Sequence, residues 1–115
     1  MFRQKSTLKL FCGDDPRAFF GTGPFLLLSA IGETHSIAKA AKSMNMAYTK
    51  ALALIKHAEA ALGKPLITAQ TGGKGGGGSE LTETALALVA AFRTCQTALD
   101  KEAETLFQKH FGPIL

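Results

Sequence analysis

An α+β, mainly helical single domain is what these 115 residues predict, on three observations. Two segments with apolar residues at helical spacing are joined by a very short turn. A run of glycines separates two short stretches of strand character. The last third carries an apolar series whose gaps alternate between four and three residues. The chain is long enough to bury a core without staples and too short for a catalytic domain with a second, regulatory one. Its 46% hydrophobic and 19% charged residues exclude a wholly disordered chain. No apolar stretch approaches the roughly 20 residues that span a bilayer. The start, Met1-Phe2-Arg3-Gln4-Lys5, leads into no greasy signal block, so a cytoplasmic protein is expected.

Ser6 to Cys12 alternates, with Leu8, Leu10 and Cys12 in one phase, and predicts a strand with one buried face. Gly13-Asp14-Asp15-Pro16 is a turn cluster, and Phe19-Phe20 is read as a short return, making residues 5–21 an N-terminal strand or hairpin. Residues 23–63 are expected to form a three-helix core. Pro24 suits the start of a first helix, since its missing N–H has no intrahelical partner there, and Gly32 suits its end. The body Phe25 to Ile31 is apolar nearly all round and should be the core helix. Ser36 can cap a short second helix whose inward set is Ile37, Ala40, Ala41 and Met44. A third helix runs from about Ala47 to Leu62 and closes at Gly63. Its inward residues are Ala51, Leu52, Ile55, Ala58 and Leu62, which leaves Thr49, Lys50, Ala53, Lys56 and His57 on the outer side.

Residues 65–81 form the predicted hairpin. Pro65 to Thr71 is its first strand, the segment from Gly72 to Ser79 its tip, and Glu80-Leu81 its return. Thr82 caps a last helix, expected over 82–108, with Glu83 at the positive end of its dipole. Its series is Ala85, Val89, Phe92, Leu99, Ala103 and Leu106, with Gln96 in the slot that breaks it. A helix of about 25 residues is about 37 Å long, too long for so small a body to cover.

Charge is unevenly spread. Residues 36–79 hold six lysines against Glu59 alone, a balance of +5, whereas residues 80–115 sum to −2. The positive stretch coincides with the helix pair and the glycine hairpin, which suits a polyanion. Two helices joined by a tight turn and followed by a hairpin make a winged helix-turn-helix, whose second helix enters a DNA major groove. Ala47-Tyr48-Thr49-Lys50, small and polar, lets that helix approach base edges closely.

The run Glu33-Thr34-His35-Ser36-Ile37-Ala38-Lys39-Ala40-Ala41-Lys42-Ser43-Met44-Asn45-Met46-Ala47-Tyr48-Thr49-Lys50-Ala51 resembles the helix-turn-helix of ModE-type transcription regulators, whose N-terminal domain is LysR-like. Gln70 to Thr82, with its glycines, is similar to their wing and to the start of their dimer helix. The resemblance extends from about Leu8 to Leu106. It departs at Ala47, where members usually have Ser, a hydroxyl cap worth about 1 kcal/mol. Full-length regulators of that type carry C-terminal oxyanion-binding domains for molybdate or tungstate. No such segment follows Leu115 in this sequence, so no molybdate site is expected in it.

Geometry and resemblance together nominate Ser36, Tyr48, Thr49 and Lys50 at the groove, with Lys39, Lys42, Lys56 and Lys74 as phosphate partners. Some alternatives stay open. Tyr48 can pack its ring inward and show only its hydroxyl, and Lys56 and His57 can simply be solvated. The glycine tip can be a bare flexible loop, or its N–H groups and Lys74 can settle on a phosphate backbone. A nucleotide-binding loop is disfavoured, because Lys74 precedes further glycines and a strand instead of opening a helix. Val89, Phe92, Gln96, Leu99, Ala103 and Leu106 are nominated as a dimer seam that sets two recognition helices about 34 Å apart on a palindromic operator.

Cys12 and Cys95 fit no metal-ligand spacing and are expected as reduced, half-buried thiols. His35, His57 and His110 stand in no catalytic motif, so neither an enzyme nor a cofactor is expected. The functional expectation is a homodimeric regulator that reads double-stranded DNA. The alternative is an interaction module that pairs with a full-length relative and modulates it without reading DNA.

Overall fold

The structure, a computed structural model, describes residues 1–70 and 78–115. Its elements are α1 (Thr22–Thr34), α2 (Ile37–Ser43), α3 (Tyr48–Leu62), β1 (Ile67–Gln70), β2 (Gly78–Leu81) and α4 (Glu83–Phe111), which make a winged helix-turn-helix followed by a long helix. Among the described residues no helix is long and apolar enough to cross a membrane.

The expected N-terminal hairpin contracts to one bridged pair. Leu10 N–H donates to Phe20 O at 2.9 Å and Phe19 N–H to Leu10 O at 2.8 Å, and the rest of the segment joins no ladder. The alternation is nonetheless expressed, because Leu8 and Leu10 turn inward while Thr7, Lys9 and Phe11 face solvent. The partner of this extended segment is α4. Gln96 accepts from Leu8 N–H at 2.8 Å and donates to Ser6 O at 2.9 Å, so a side chain supplies what a neighbouring strand would. Cys12, placed by alternation on the inner phase, is exposed, as is Cys95, so neither thiol is half-buried as expected.

α1 is longer than the sequence suggests. It begins two residues before Pro24, which still falls in the first turn where no N–H is required. It also runs through Gly32 to Thr34. Gly32 is there for space: a Cβ at that position would lie 3.1 Å from Leu81 Cδ1, so its absence lets β2 pack on the helix. The end comes at His35, in the left-handed region with φ 58°, whose N–H donates to Ile31 O at 2.8 Å. Histidine is one of the few side-chain-bearing residues found there with any frequency.

Ser36 caps α2 by accepting Lys39 N–H at 3.1 Å. Ala40 and Ala41 bury its inner face, and Met46 N–H returns to Ala41 O at 2.9 Å to close the turn through Asn45, whose φ is 55°. Ala51, Ile55 and Ala58 are the buried stripe of α3. Gly63, with φ 69°, supplies the left-handed cap that lets the chain leave α3. β1 and β2 pair antiparallel in the register Ile67↔Leu81 to Gln70↔Gly78. Their base is sealed by Thr82, which donates its hydroxyl to Pro65 O at 2.8 Å and its N–H to Leu66 O at 3.0 Å, and whose Oγ1 then accepts Ala85 N–H to cap α4.

Leu27, Leu28 and Ile31 of α1 are fully buried, with Phe20 and Leu66 beside them. Phe92 of α4 completes the core, edge-on to Phe20 at 5.4 Å and tilted on Phe25 at 4.8 Å. Only the first third of α4 is used in this way. A helix of 29 residues is about 43 Å long, and the molecule accordingly measures 61 × 32 × 24 Å. Its radius of gyration of 17.1 Å exceeds the ~13 Å of a compact chain of this length.

Candidate nucleic-acid interface

α3 is held against α1 and α2 by its small inward residues, which leaves the outer side of its first turn free. Tyr48 is 48% exposed, so its ring is not tucked into the core, and Thr49 and Lys50 are exposed beside it. Ala47, Tyr48, Ala38, Lys42, Asn45 and Met46 border an open depression of about 420 Å³ at the turn. Lys39 and Lys42 are exposed on α2. Among the described residues Lys39, Lys42 and Lys50 enter no ion pair, so their charges are available to an external anion.

The other nominees are placed differently. Ser36 is half-buried and its Oγ accepts Lys39 N–H, which leaves its hydroxyl proton free to donate outward. Lys56 lies 3.6 Å from Glu59 Oε1, and Glu59 also takes Leu66 N–H through its other oxygen at 2.8 Å. Glu59 thereby ties α3 to the entry of the wing and partly neutralises Lys56. Lys74 lies outside the described residues. His57 is neither solvated nor free: its Nε2 is 3.1 Å from Asp15 Oδ2, which pins the N-terminal turn to α3. The backbone N–H of Arg17, the His57 ring and the Arg17 guanidinium hold the Asp15 carboxyl below its ordinary range.

The expected seam on α4 divides. Val89 and Phe92 are 8% and 4% exposed, buried in the chain's own core, and Gln96 is occupied by the N-terminal segment and by Asp100 at 2.7 Å. Val89 and Phe92 are thus covered within the chain by α1 and Phe20, and Gln96, half-buried, is engaged by the backbone of residues 6–8. Leu99 and Ala103 are half-buried and Leu106 is 48% exposed, and Phe111, Ile114 and Leu115 beyond it are exposed as well.

Residues that the sequence did not nominate also shape the site. Asn45 lines the depression, and its tolerance of the left-handed turn was a legible signal. His35 and Glu80, 2.8 Å apart, join the helix pair to the wing, and nothing in local pattern pointed to them.

At the N-terminus of α3 the residue in the cap position, Ala47, has no side-chain acceptor for the free N–H groups. Ala47→Ser is expected to raise stability by about 1 kcal/mol, read as a rise of roughly 4 °C in Tm. An unchanged Tm would show that the first turn gains nothing from a hydroxyl.

Residues 25–86, more than half of the chain, match the family described as bacterial regulatory helix-turn-helix protein, lysR family. The matched span covers most of α1, all of α2 and α3, the hairpin segment and the start of α4. Over 72 residues the chain is 43% identical to a molybdenum transport protein ModE of Herbaspirillum seropedicae, covering 63% of this chain and 27% of that protein. It is 36% identical over 84 residues to a molybdenum-pterin-binding protein MopB of Rhodobacter capsulatus, covering 73% and 31%. Against a ModE protein of Azotobacter vinelandii the identity is 35% over 92 residues, covering 76% and 34%. The chain thus spans about a third or less of the length of these relatives. The matched family is one of DNA-binding regulators and not of enzymes. With its helix pair, wing and matched span, the chain belongs to the lysR family of bacterial regulatory helix-turn-helix proteins.

Proposed function

We propose that this chain binds double-stranded DNA sequence-specifically, as the winged-helix part of a homodimeric regulator of ModE type. The observation that carries the reading is the first turn of α3, where Tyr48, Thr49 and Lys50 stand exposed while the opposite face is buried in the core. Thr49 and Lys50 read base edges; Lys39, Lys42 and the wing lysine Lys74 meet phosphates, which supply most of the affinity and fix the register. Ser36 donates its hydroxyl to the backbone, and Tyr48 covers the depression beside Lys42.

Pairing of two chains is supported by α4, whose distal half extends beyond the core with Leu106 and Phe111 exposed. The dimer seam is accordingly Leu99, Ala103 and Leu106, continued towards Phe111. A twofold pair presents two recognition helices to successive turns of a palindromic site. The chain acts in the cytoplasm on this reading, and the metal chemistry in the relatives' names is no part of the proposal. If about five phosphates are neutralised per bound unit, log affinity falls with log salt at a slope near −4.5. Fluorescence anisotropy of a labelled duplex across a salt series measures it, and binding indifferent to salt rejects the reading.

A further inference from the structure

We propose that His35 is a positioning residue for this interface: it clamps the wing strand β2 to the junction of α1 and α2, and so sets the angle at which hairpin and α3 meet one duplex. The inference rests on the DNA-binding reading above.

Three contacts converge on this one residue. By ending α1 in the left-handed region, His35 turns its carbonyl towards β2, where Ser79 N–H donates to it at 2.9 Å. Its ring reaches the next residue of the strand, with Nδ1 2.8 Å from Glu80 Oε1. Gly78 then allows the approach, because a Cβ there would stand only 2.8 Å from the His35 carbonyl oxygen. None of these contacts belongs to the β1–β2 ladder. The residue that follows is Ser36, the cap of α2, so the wing strand and the first turn of the helix pair hang from adjacent backbone atoms.

A two-stranded ribbon is marginal by itself and is oriented by what it packs on. Here the base of the hairpin is tied through Thr82 and Pro65, and Leu81 rests on Gly32. A ribbon held only at its base can swing. The His35 contacts hold β2 further along, at Gly78, Ser79 and Glu80, and convert a hinged ribbon into one rigid body with the helix pair. Restricting that swing before binding lowers the ordering cost on the duplex.

The test uses His35→Ala, His35→Asn, Glu80→Ala and the double variant His35→Ala/Glu80→Ala in the whole chain, with affinity for a duplex and amide exchange at Ser79 measured on each. Glu80→Ala is expected to weaken binding about tenfold, His35→Ala at least as much because it also loosens the Ser79 bond, and the double variant no further than His35→Ala, because the ring–carboxylate contact is already gone. Exchange at Ser79 quickens by about tenfold in His35→Ala. His35→Asn restores binding to within about threefold, since Asn tolerates the left-handed turn and its amide donates to Glu80 from the place of Nδ1. Thermal melting confines the comparison to folded protein, and should His35→Ala fail to fold, Glu80→Ala with His35→Asn carries the test. Unchanged affinity in His35→Ala and Glu80→Ala, or losses that simply add, overturns the positioning role even where Ser79 loses protection. If the unmodified chain binds no duplex at any salt, the DNA-binding reading is what fails, and Ser79 exchange still decides whether His35 holds the strand.

Discussion

Replacing Lys50 by glutamate is expected to lower duplex affinity at least a hundredfold while leaving the fold intact. Lys50 is exposed on the first turn of α3 and among the described residues takes part in no ion pair, so its removal costs the core nothing. Exposed substitutions of this kind stay within about 0.5 kcal/mol of the parent stability. Loss of a base-edge contact costs about 1–3 kcal/mol, and a carboxylate set against the duplex adds like-charge repulsion. About 3 kcal/mol is already two powers of ten in affinity at ~1.4 kcal/mol per decade. Anisotropy at fixed salt reads the loss, and discrimination between duplexes of different sequence relaxes with it, because a base-edge contact is removed while the phosphate-facing lysines remain. Wild-type affinity in the variant removes α3 from the groove. Retained binding to a related full-length regulator with no duplex binding by either form favours the interaction-module alternative.

The second large effect concerns stability. Phe92→Ala should lower Tm by about 12–20 °C, and by the same amount at high and low protein concentration. Phe92 is 4% exposed and packs on both Phe20 and Phe25. Truncating such a ring costs about 3–5 kcal/mol, a large part of the ~6–17 kcal/mol available to a chain of this length. Each kcal/mol corresponds to roughly 4 °C at this size. Leu106→Ala is the contrast: at 48% exposed it leaves the monomer's stability alone and weakens self-association instead. Melting curves at two concentrations, with sedimentation for the assembly state, separate the two. A concentration-dependent loss in Phe92→Ala returns that residue to the seam.

Features governed by neighbours in sequence were legible from the residues. Ser36 and Thr82 cap their helices through groups three residues on, and Gly63 ends α3 where its missing Cβ relieves the left-handed turn. The exposed first turn of α3 was readable too, since helical periodicity alone separates Ala51, Ile55 and Ala58 from Thr49 and Lys50. Competition between distant segments was not. The apolar series of α4 looks like one continuous seam, because a period of 3.5 residues does not say what covers it. Its first part is covered by Phe20 and Phe25, Gln96 is taken by the backbone of residues 6–8, and the part from Leu106 onward, flanked by residues 1–6, stays largely exposed.

By itself the sequence determined the fold class, the helix pair with its caps, the basic stretch and the family, because each is written in local spacing, local hydrogen bonding and charge. Only the tertiary structure decided where α1 stops, which residues of α4 remain free, that His57 is held by Asp15, and that His35 joins the wing to the helices. The physical reason is that these depend on which surfaces meet across the chain. A side chain such as Gln96 or His35 has donors and acceptors that suit many partners, and packing selects one.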